Sequence, residues 1–336
     1  MPEILSLIRR ILEDTRIESI LPVNTNNWKA IAHNIAPDII RPDLGGVHCH
    51  YPLPFKHGDY WYLIIKRSDS ANNPGDWWIY RAEKANSTYW ELVKGNLGPT
   101  KNDEFWVPSG ILPWGKNKYL IFIEHDDTVN PNHIDVVELD MSNPSDPSVS
   151  IIAENVLTAS GSQQWVGTPT VFTYGGLLVM RYHAHLTYNG ISGDHMFIAV
   201  GSDPFTWEKI TDSDPLLPAY SGHVAIGHAV PISTYPLISL LAEYDTGQQS
   251  PGGWNYWGFL IVLVSRDLTR AYVMKDLDIS TIQSWGIDTP LGQHYIIPYI
   301  DPDDGRLKWI LYITEGLTDT VESVVSIVEH DTGAKL

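Results

Sequence analysis

Apolar residues in this chain fall in short runs broken by glycine, proline and acidic residues, a spacing that suits β-strands rather than helices. Five prolines each open such a run: Pro52 in HCHYPLPF, Pro108 in FWVPSGIL, Pro169 in WVGTPTVF, Pro231 in GHAVPIST and Pro290 in GIDTPLGQ. They lie 56, 61, 62 and 59 residues apart. After each comes a second run (DYWYLIIK, KYLIFIEH, GLLVMRYH, PLISLLAEY, LKWILYIT) and then a third (DWWIYRAE, HIDVVELD, HMFIAVGS, WGFLIVLVS, ESVVSIVE). In the clearest units a tryptophan-led segment, TYWELVKGNLGPT or FTWEKITDSDPLLPA, supplies a fourth. Only the opening stretch reads differently. There Ile4, Leu5, Ile8, Ile11 and Leu12 follow helical spacing and predict one short amphipathic helix.

Four strands per unit at this period predict an all-β fold, a five-bladed β-propeller with four-stranded blades. A single domain is expected over residues 26–336, behind a helical extension at 1–25, with blades starting near 46, 104, 164, 223 and 285. The fifth unit runs out of chain after its third strand, near Glu329. The segment NWKAIAHNIAP, about 28–37, has the skeleton of the missing fourth strand. Donated to the last blade, it would close the ring and remove the open sheet edges that invite aggregation.

The bulk numbers narrow the classes of function. The net charge of −18 leaves no basic stripe to neutralise phosphates, which argues against a nucleic-acid partner. One cysteine allows no intrachain disulfide. The longest apolar run, GFLIVLV, is too short to span a bilayer. Arg9, Arg10, Glu13 and Asp14 interrupt the N-terminal apolar pattern, so it does not read as a secretory signal, and a soluble, by default cytoplasmic, chain is expected. The helix would pack on the main domain or on a second copy, which makes it the route to a homo-oligomer. No phosphate loop or dinucleotide fingerprint appears, so no nucleotide cofactor is expected.

In a propeller blade the start of strand one and the end of strand two emerge on the same face, and the polar residues there are the candidates for chemistry. His48 and His50, like His183 and His185, sit two apart on a strand and so point the same way. With His228 from the fourth unit, His48, His50 and His183 form a ligand set for one divalent metal ion in the central channel. The plainer alternative is that these histidines bond to neighbouring blades. Trp28, Trp90 and Trp207 recur at one strand position and read as packing residues. Trp106, Trp165 and Trp285, beside His50, Glu124, Asp126 and His185, read as ligand contacts, since aromatic faces next to carboxylates hold sugars. Glu243 and Asp288 are the carboxylates placed for catalysis, and His183 is a candidate base.

Three phrases resemble the five-bladed propeller glycoside hydrolases of the arabinanase, β-xylosidase and invertase-like group. FWVPSGIL looks like that group's Trp-Ala-Pro second-blade opening. VGTPTVF looks like its Ile-Asp-Pro-Ser-Val-Phe third-blade opening, and SDPFTWEKI resembles its Ser-Asp-X-X-X-Trp blade ending. The resemblance covers residues 28–330 in architecture and implies a carbohydrate ligand in the axial funnel. It also implies a catalytic trio: an Asp before Pro in blades one and three, and a Glu two before Pro in blade four. Here those places hold Tyr51, Thr168 and Ala229. The group's metal-linked histidine of blade five maps near Asp288, while His228 in IGHAV offers that pattern one blade early. The expectation is therefore a glycoside-hydrolase-like propeller that binds a carbohydrate or similar polar molecule, with cleavage resting on other residues. A histidine-ligated metal-dependent enzyme of lyase or oxygenase type and a non-catalytic glycan-binding module are the two alternatives.

Overall fold

The computed structural model describes residues 22, 24–36, 48–68, 76–98, 105–126, 131–218, 229–230, 238–249, 255–265, 267–291, 294–317 and 323–335. The predicted N-terminal helix, the proposed ligand His228 and Pro231 lie outside them. The described residues form the predicted all-β propeller of five blades with four-stranded antiparallel sheets and almost no helix. Strand β1 (Trp28–Ala32) belongs to the last blade in space. Blade one comprises β2 (His48–His57), β3 (Tyr60–Ser68), β4 (Asp76–Ala82) and β5 (Glu91–Lys94). Blade two comprises β6 (Phe105–Pro113), β7 (Lys118–Asp126), β8 (His133–Asp140) and β9 (Ser148–Leu157). Blade three comprises β10 (Val166–Tyr174), β11 (Leu177–Tyr188), β12 (Ile191–Asp203) and β13 (Thr206–Lys209). Blade four comprises β14 (Ala229–Val230), β15 (Ile238–Gln249), β16 (Asn255–Val264) and β17 (Ala271–Leu277). Blade five has β18 (Tyr295–Ile300), β19 (Arg306–Gly316) and β20 (Ser323–Lys335), with β1 paired antiparallel to β20, Trp28 opposite His330.

The second strands explain why the apolar runs are continuous rather than alternating. Seven successive residues of β7, from Tyr119 to His125, are buried, because sheets of neighbouring blades cover both faces. The cores lie between blades: Ile121, Ile123 and Val137 share one with Tyr62, Ile79 and Trp77 of blade one, while Phe122, Val136 and Leu120 share another with Tyr182 and Phe197 of blade three. Trp28 and Trp90 are buried as expected of packing residues. The indole N–H groups of Trp90 and Trp207 each donate to the carbonyl three residues back, Ser87 and Pro204, at 3.1 and 3.0 Å.

Blade five departs from the reading of the sequence. Its first strand begins at Tyr295, not near 285. The preceding stretch holds the short helix α1 (Ile279–Ser284), capped by Asp278 accepting from the Thr281 N–H at 2.8 Å, and Pro290 makes an isolated bridge to Glu315. None of the helices among the described residues is long and apolar enough to cross a membrane.

Candidate functional site

The first strands of blades one and three share an unusual opening. Their pairing slips by one residue between His50 and Leu53, and between Gly167 and Thr170. At each slip the residue before proline adopts a left-handed backbone, φ +53° at Tyr51 and +34° at Thr168. A pre-proline residue is normally held extended, and a β-branched one rarely has positive φ, so Thr168 stores strain. Such strain persists where the surroundings over-determine it, which is characteristic of binding and catalytic sites.

Around Thr168 three blades converge. Its N–H donates to Glu124 Oε2 at 2.9 Å, and its Oγ1 lies 2.7 Å from His183 Nδ1 in a hydrogen bond. Asn132 Nδ2 holds the other carboxylate oxygen, Oε1, at 2.8 Å. Glu124 lies near the end of β7 of blade two, and His183 sits on β11 of blade three. Both abut Gly167: a methyl group there would lie 2.3 Å from Glu124 Oε2 and 2.8 Å from His183 Nε2. From blade one comes Lys66, only 2% exposed. Burial pulls its ammonium down to about 7, with the Glu124 charge opposing the drop. Lys66 Nζ stands 6.0 Å from the Tyr51 ring centroid, and the His50 ring lies 6.2 Å from the same ring. The guanidinium of Arg181, fully buried, donates to Thr170 Oγ1 at 3.0 Å. One carboxylate, an imidazole and a hydroxyl thus face each other, flanked by the buried amine of Lys66 and the buried guanidinium of Arg181. This set can bind hydroxyl groups and hold or move a proton.

Of the expected site residues, the structure brings together His183 and Glu124, while His50 stands against the Tyr51 ring of blade one. Asp126 ends β7 two residues beyond Glu124, half-buried. Trp106 is corrected: 3% exposed, it stacks on His125 with centroids 3.8 Å apart, within the core shared with blade one. Trp285 is corrected likewise. It caps α1, stacks on Trp28 at 5.1 Å and donates its indole N–H to the Thr25 carbonyl. Trp165 stacks on His185 at 4.1 Å, and His185 Nδ1 meets Asp194 Oδ1 at 2.9 Å, so this pair is held by its own blade. Asp288 is exposed at blade five, its N–H donating to Glu315 Oε1 at 3.0 Å; Glu315 also takes His33 Nδ1 and the Ser326 hydroxyl. Glu243 stands on β15 opposite Phe259, and His48 on β2 opposite Ser68, but their side chains, like the whole of His228, lie outside the description.

Lys66, Asn132, Gly167 and Arg181 escaped the reading of the sequence. Lys66 offered one signal, a cation directly after the apolar run YLII. A second cluster was also missed. His125, His133 and Asp135, all buried, place one donor atom each within 4.8 Å of one another and could hold a metal ion. The alternation His-Ile-Asp opposite EHDD was its signal. A groove of about 540 Å³ lies elsewhere, between the outer strands of blades two and three, lined by Asn155, Trp207, Lys209 and Asp212. Lys209 spends its three ammonium hydrogens on Thr158 O, Ser160 Oγ and Gln163 Oε1, which leaves it no donor for a ligand. The converging cluster at Glu124 is the better candidate.

No protein-family model matches the chain, and no curated protein matches it in sequence. Solved structures do match in fold. A family 117 glycoside hydrolase from the marine bacterium Zobellia galactanivorans superposes with a TM-score of 0.63 at 14% identity, over 91% of this chain and 90% of that one. A structure described only as a glycoside hydrolase gives 0.61 at 12% identity, over 97% and 95%. A thermostable family-43 glycoside hydrolase gives 0.57 at 15% identity, over 84% and 89%. The chain has the fold of the five-bladed propeller glycoside hydrolases.

Proposed function

We propose that this protein binds a carbohydrate at the mouth of its channel, with Glu124 and His183 as the principal polar contacts and Lys66, Tyr51 and His50 forming the adjoining wall. The observation that carries this reading is the Glu124–Thr168–His183 cluster, where strained backbone holds a carboxylate and an imidazole side by side. A carboxylate accepts from sugar hydroxyls through charge-assisted bonds, and an imidazole can donate or accept beside it. The similarity to glycoside hydrolases in fold supports a sugar over other polar ligands, as an analogy. Tyr51, Thr168 and Ala229 supply no carboxylate at the places where the resembling group keeps its trio, so binding rather than that group's hydrolysis is the conclusion.

A glycan array would identify the ligand, and calorimetric titration of the wild type, Glu124→Gln and His183→Ala would test the site. Loss of a charged hydrogen bond should weaken binding by about tenfold or more. A panel of chromogenic glycosides should stay silent. Absence of any glycan ligand, or wild-type affinity in both variants, would overturn the reading. Turnover abolished by Glu124→Gln would instead make Glu124 an acid or base.

A further inference from the structure

We propose that blade two holds a zinc-class divalent ion between His125, His133 and Asp135, beneath the indole of Trp106. The three side chains are 3%, 3% and 0% exposed, so their polar atoms must be satisfied within the protein. His133 decides the matter. Its Nδ1 lies 3.1 Å from the carbonyl oxygen of Pro131, which can only accept, so Nδ1 carries the ring hydrogen. In the neutral ring the lone pair is then on Nε2, and Nε2 faces Asp135 Oδ1 at 3.4 Å. Two lone pairs facing each other in a buried site repel unless a positive charge lies between them.

A proton or a metal ion would serve, and the spacing favours the ion. A charge-assisted N–H···O bond closes to about 2.7–2.9 Å. Two ligands at the edge of a tetrahedral zinc, each about 2.0–2.2 Å from the metal, stand about 3.4 Å apart. Across the carboxylate, His125 Nδ1 lies 2.7 Å from Asp135 Oδ2, a hydrogen bond whose proton a metal ion would displace on binding, and the third donor thus belongs to the same cluster. Nitrogen, nitrogen and carboxylate oxygen form a set that zinc accepts, with a fourth position for water. The surroundings hold these ligands as a metal site's second layer of contacts would. The Pro131 carbonyl fixes the His133 tautomer, the Trp106 face fixes the His125 ring, and the Asn155 N–H donates to Asp135 Oδ1 at 2.6 Å.

The position gives the ion a structural task. The β8–β9 pairing skips residues between Ile134–Leu157 and Val136–Ala153, and Asn155 turns through φ +57° there. An ion on His125, His133 and Asp135 ties β7 to β8 at this irregular end. His125 directly follows Glu124, so the same clamp steadies the strand end that delivers the carboxylate to the channel.

The test uses the full chain without a histidine tag. Elemental analysis, then titration with Zn²⁺ and with Co²⁺ followed by visible absorption, should find one ion per chain, with the intense cobalt bands of a tetrahedral site. His133→Gln and Asp135→Asn each remove one of three ligands and should weaken Zn²⁺ binding by at least about 100-fold, since losing even an outer partner of a ligand costs about 10–100-fold. Should either variant fail to fold, stripping the wild type with a chelator and restoring Zn²⁺ should lower and then recover its melting temperature. Folded wild-type protein that takes up neither metal would overturn the proposal. So would variants that bind Zn²⁺ as tightly as the wild type, or a melting temperature indifferent to stripping.

Discussion

Gly167 is where the candidate site has least room. A Cβ there would meet Glu124 Oε2 at 2.3 Å and His183 Nε2 at 2.8 Å, closer than real carbon contacts come. Gly167→Ala is therefore expected to push the Glu124 carboxylate off the Thr168 N–H. Circular dichroism should stay native while ligand affinity falls at least about tenfold, the worth of a charged hydrogen bond. Wild-type affinity in this variant would mean that the carboxylate does not touch ligand. Lys66 gives a prediction that needs no ligand. Its pKa falls from 10.5 to about 7 on folding, so from pH 7 upward the unfolded chain binds more protons than the folded one. Stability contributed by this group therefore rises with pH across that window. Comparing denaturant unfolding of the wild type and Lys66→Met at several pH values should show the difference shifting in favour of the wild type by up to about 1.4 kcal/mol per pH unit from about 7 to about 9.5. A pH-independent difference would mean that Lys66 stays charged in the fold.

At the level of strands and their pairing, β1 and β20 meet at an acid-sensitive point. His330 lies opposite Trp28 and packs on its ring at 5.1 Å, and burial pulls the imidazole from 6.5 down to about 4. An unfolded chain takes up this proton below pH 6.5, whereas the folded one resists until about 4. The stability is therefore complete above 6.5 and drains away as pH falls toward 4, by up to about 3 kcal/mol. Hydrogen exchange should show β1 loosening first, and His330→Gln should flatten the loss; equal acid sensitivity in that variant would place the effect elsewhere. The strands themselves were legible in the proline-led repeat, because runs buried on both faces betray themselves by length and by the turns between them. Which way their side chains turn was less legible, and the reason is the same pairing slip that builds the site. A bulge reverses the in-out alternation, so counting by twos fails for residues that precede it. Trp106 lies before the slip between Pro108 and Gly110, and faces His125 rather than the channel. Trp285 is placed by another cause: the Asp278 cap starts a helix that ends at Ser284, just before it, and the strand expected near 285 opens at Tyr295. His183 and Glu124 lie on second strands, β11 and β7, whose pairing with the third strands, β12 and β8, runs without a slip.

For the whole molecule the question is what keeps a ring of five sheets from opening at the junction of its two chain ends. The N-terminal segment meets three partners there. Trp28 through Ala32 pair with β20, and Ile35 continues the line by donating to the Val325 carbonyl at 3.0 Å. Ile35 also accepts from the Trp90 N–H of blade one at 3.1 Å, and Ala30 donates to the Trp285 carbonyl at 2.7 Å on the side toward blade four. The same junction carries the parallel bridge of His48 to Ser323, the Tyr312 hydroxyl donating to Ala85 O at 2.6 Å, and the Lys84–Asp303 pair. Ile35 and Ala36 are buried in the core shared by blades five and one. Removing residues 1–40 would strip β20 of its outer partner, uncover Trp285 and Trp90, and leave a bare sheet edge of the kind that recruits other chains. The expected product is insoluble, or compact with lost near-ultraviolet dichroism and exposed apolar surface. The milder Trp28→Ala should cost about 3–5 kcal/mol, the usual penalty for emptying a buried tryptophan site, and should lower the melting temperature without changing the fold. A peptide of residues 24–36 added to the truncated chain during refolding should restore solubility if pairing with β20 is what the ring lacks. A truncated protein that is soluble and melts with the full chain would show that blades one to four, with three strands of the fifth, close the ring unaided.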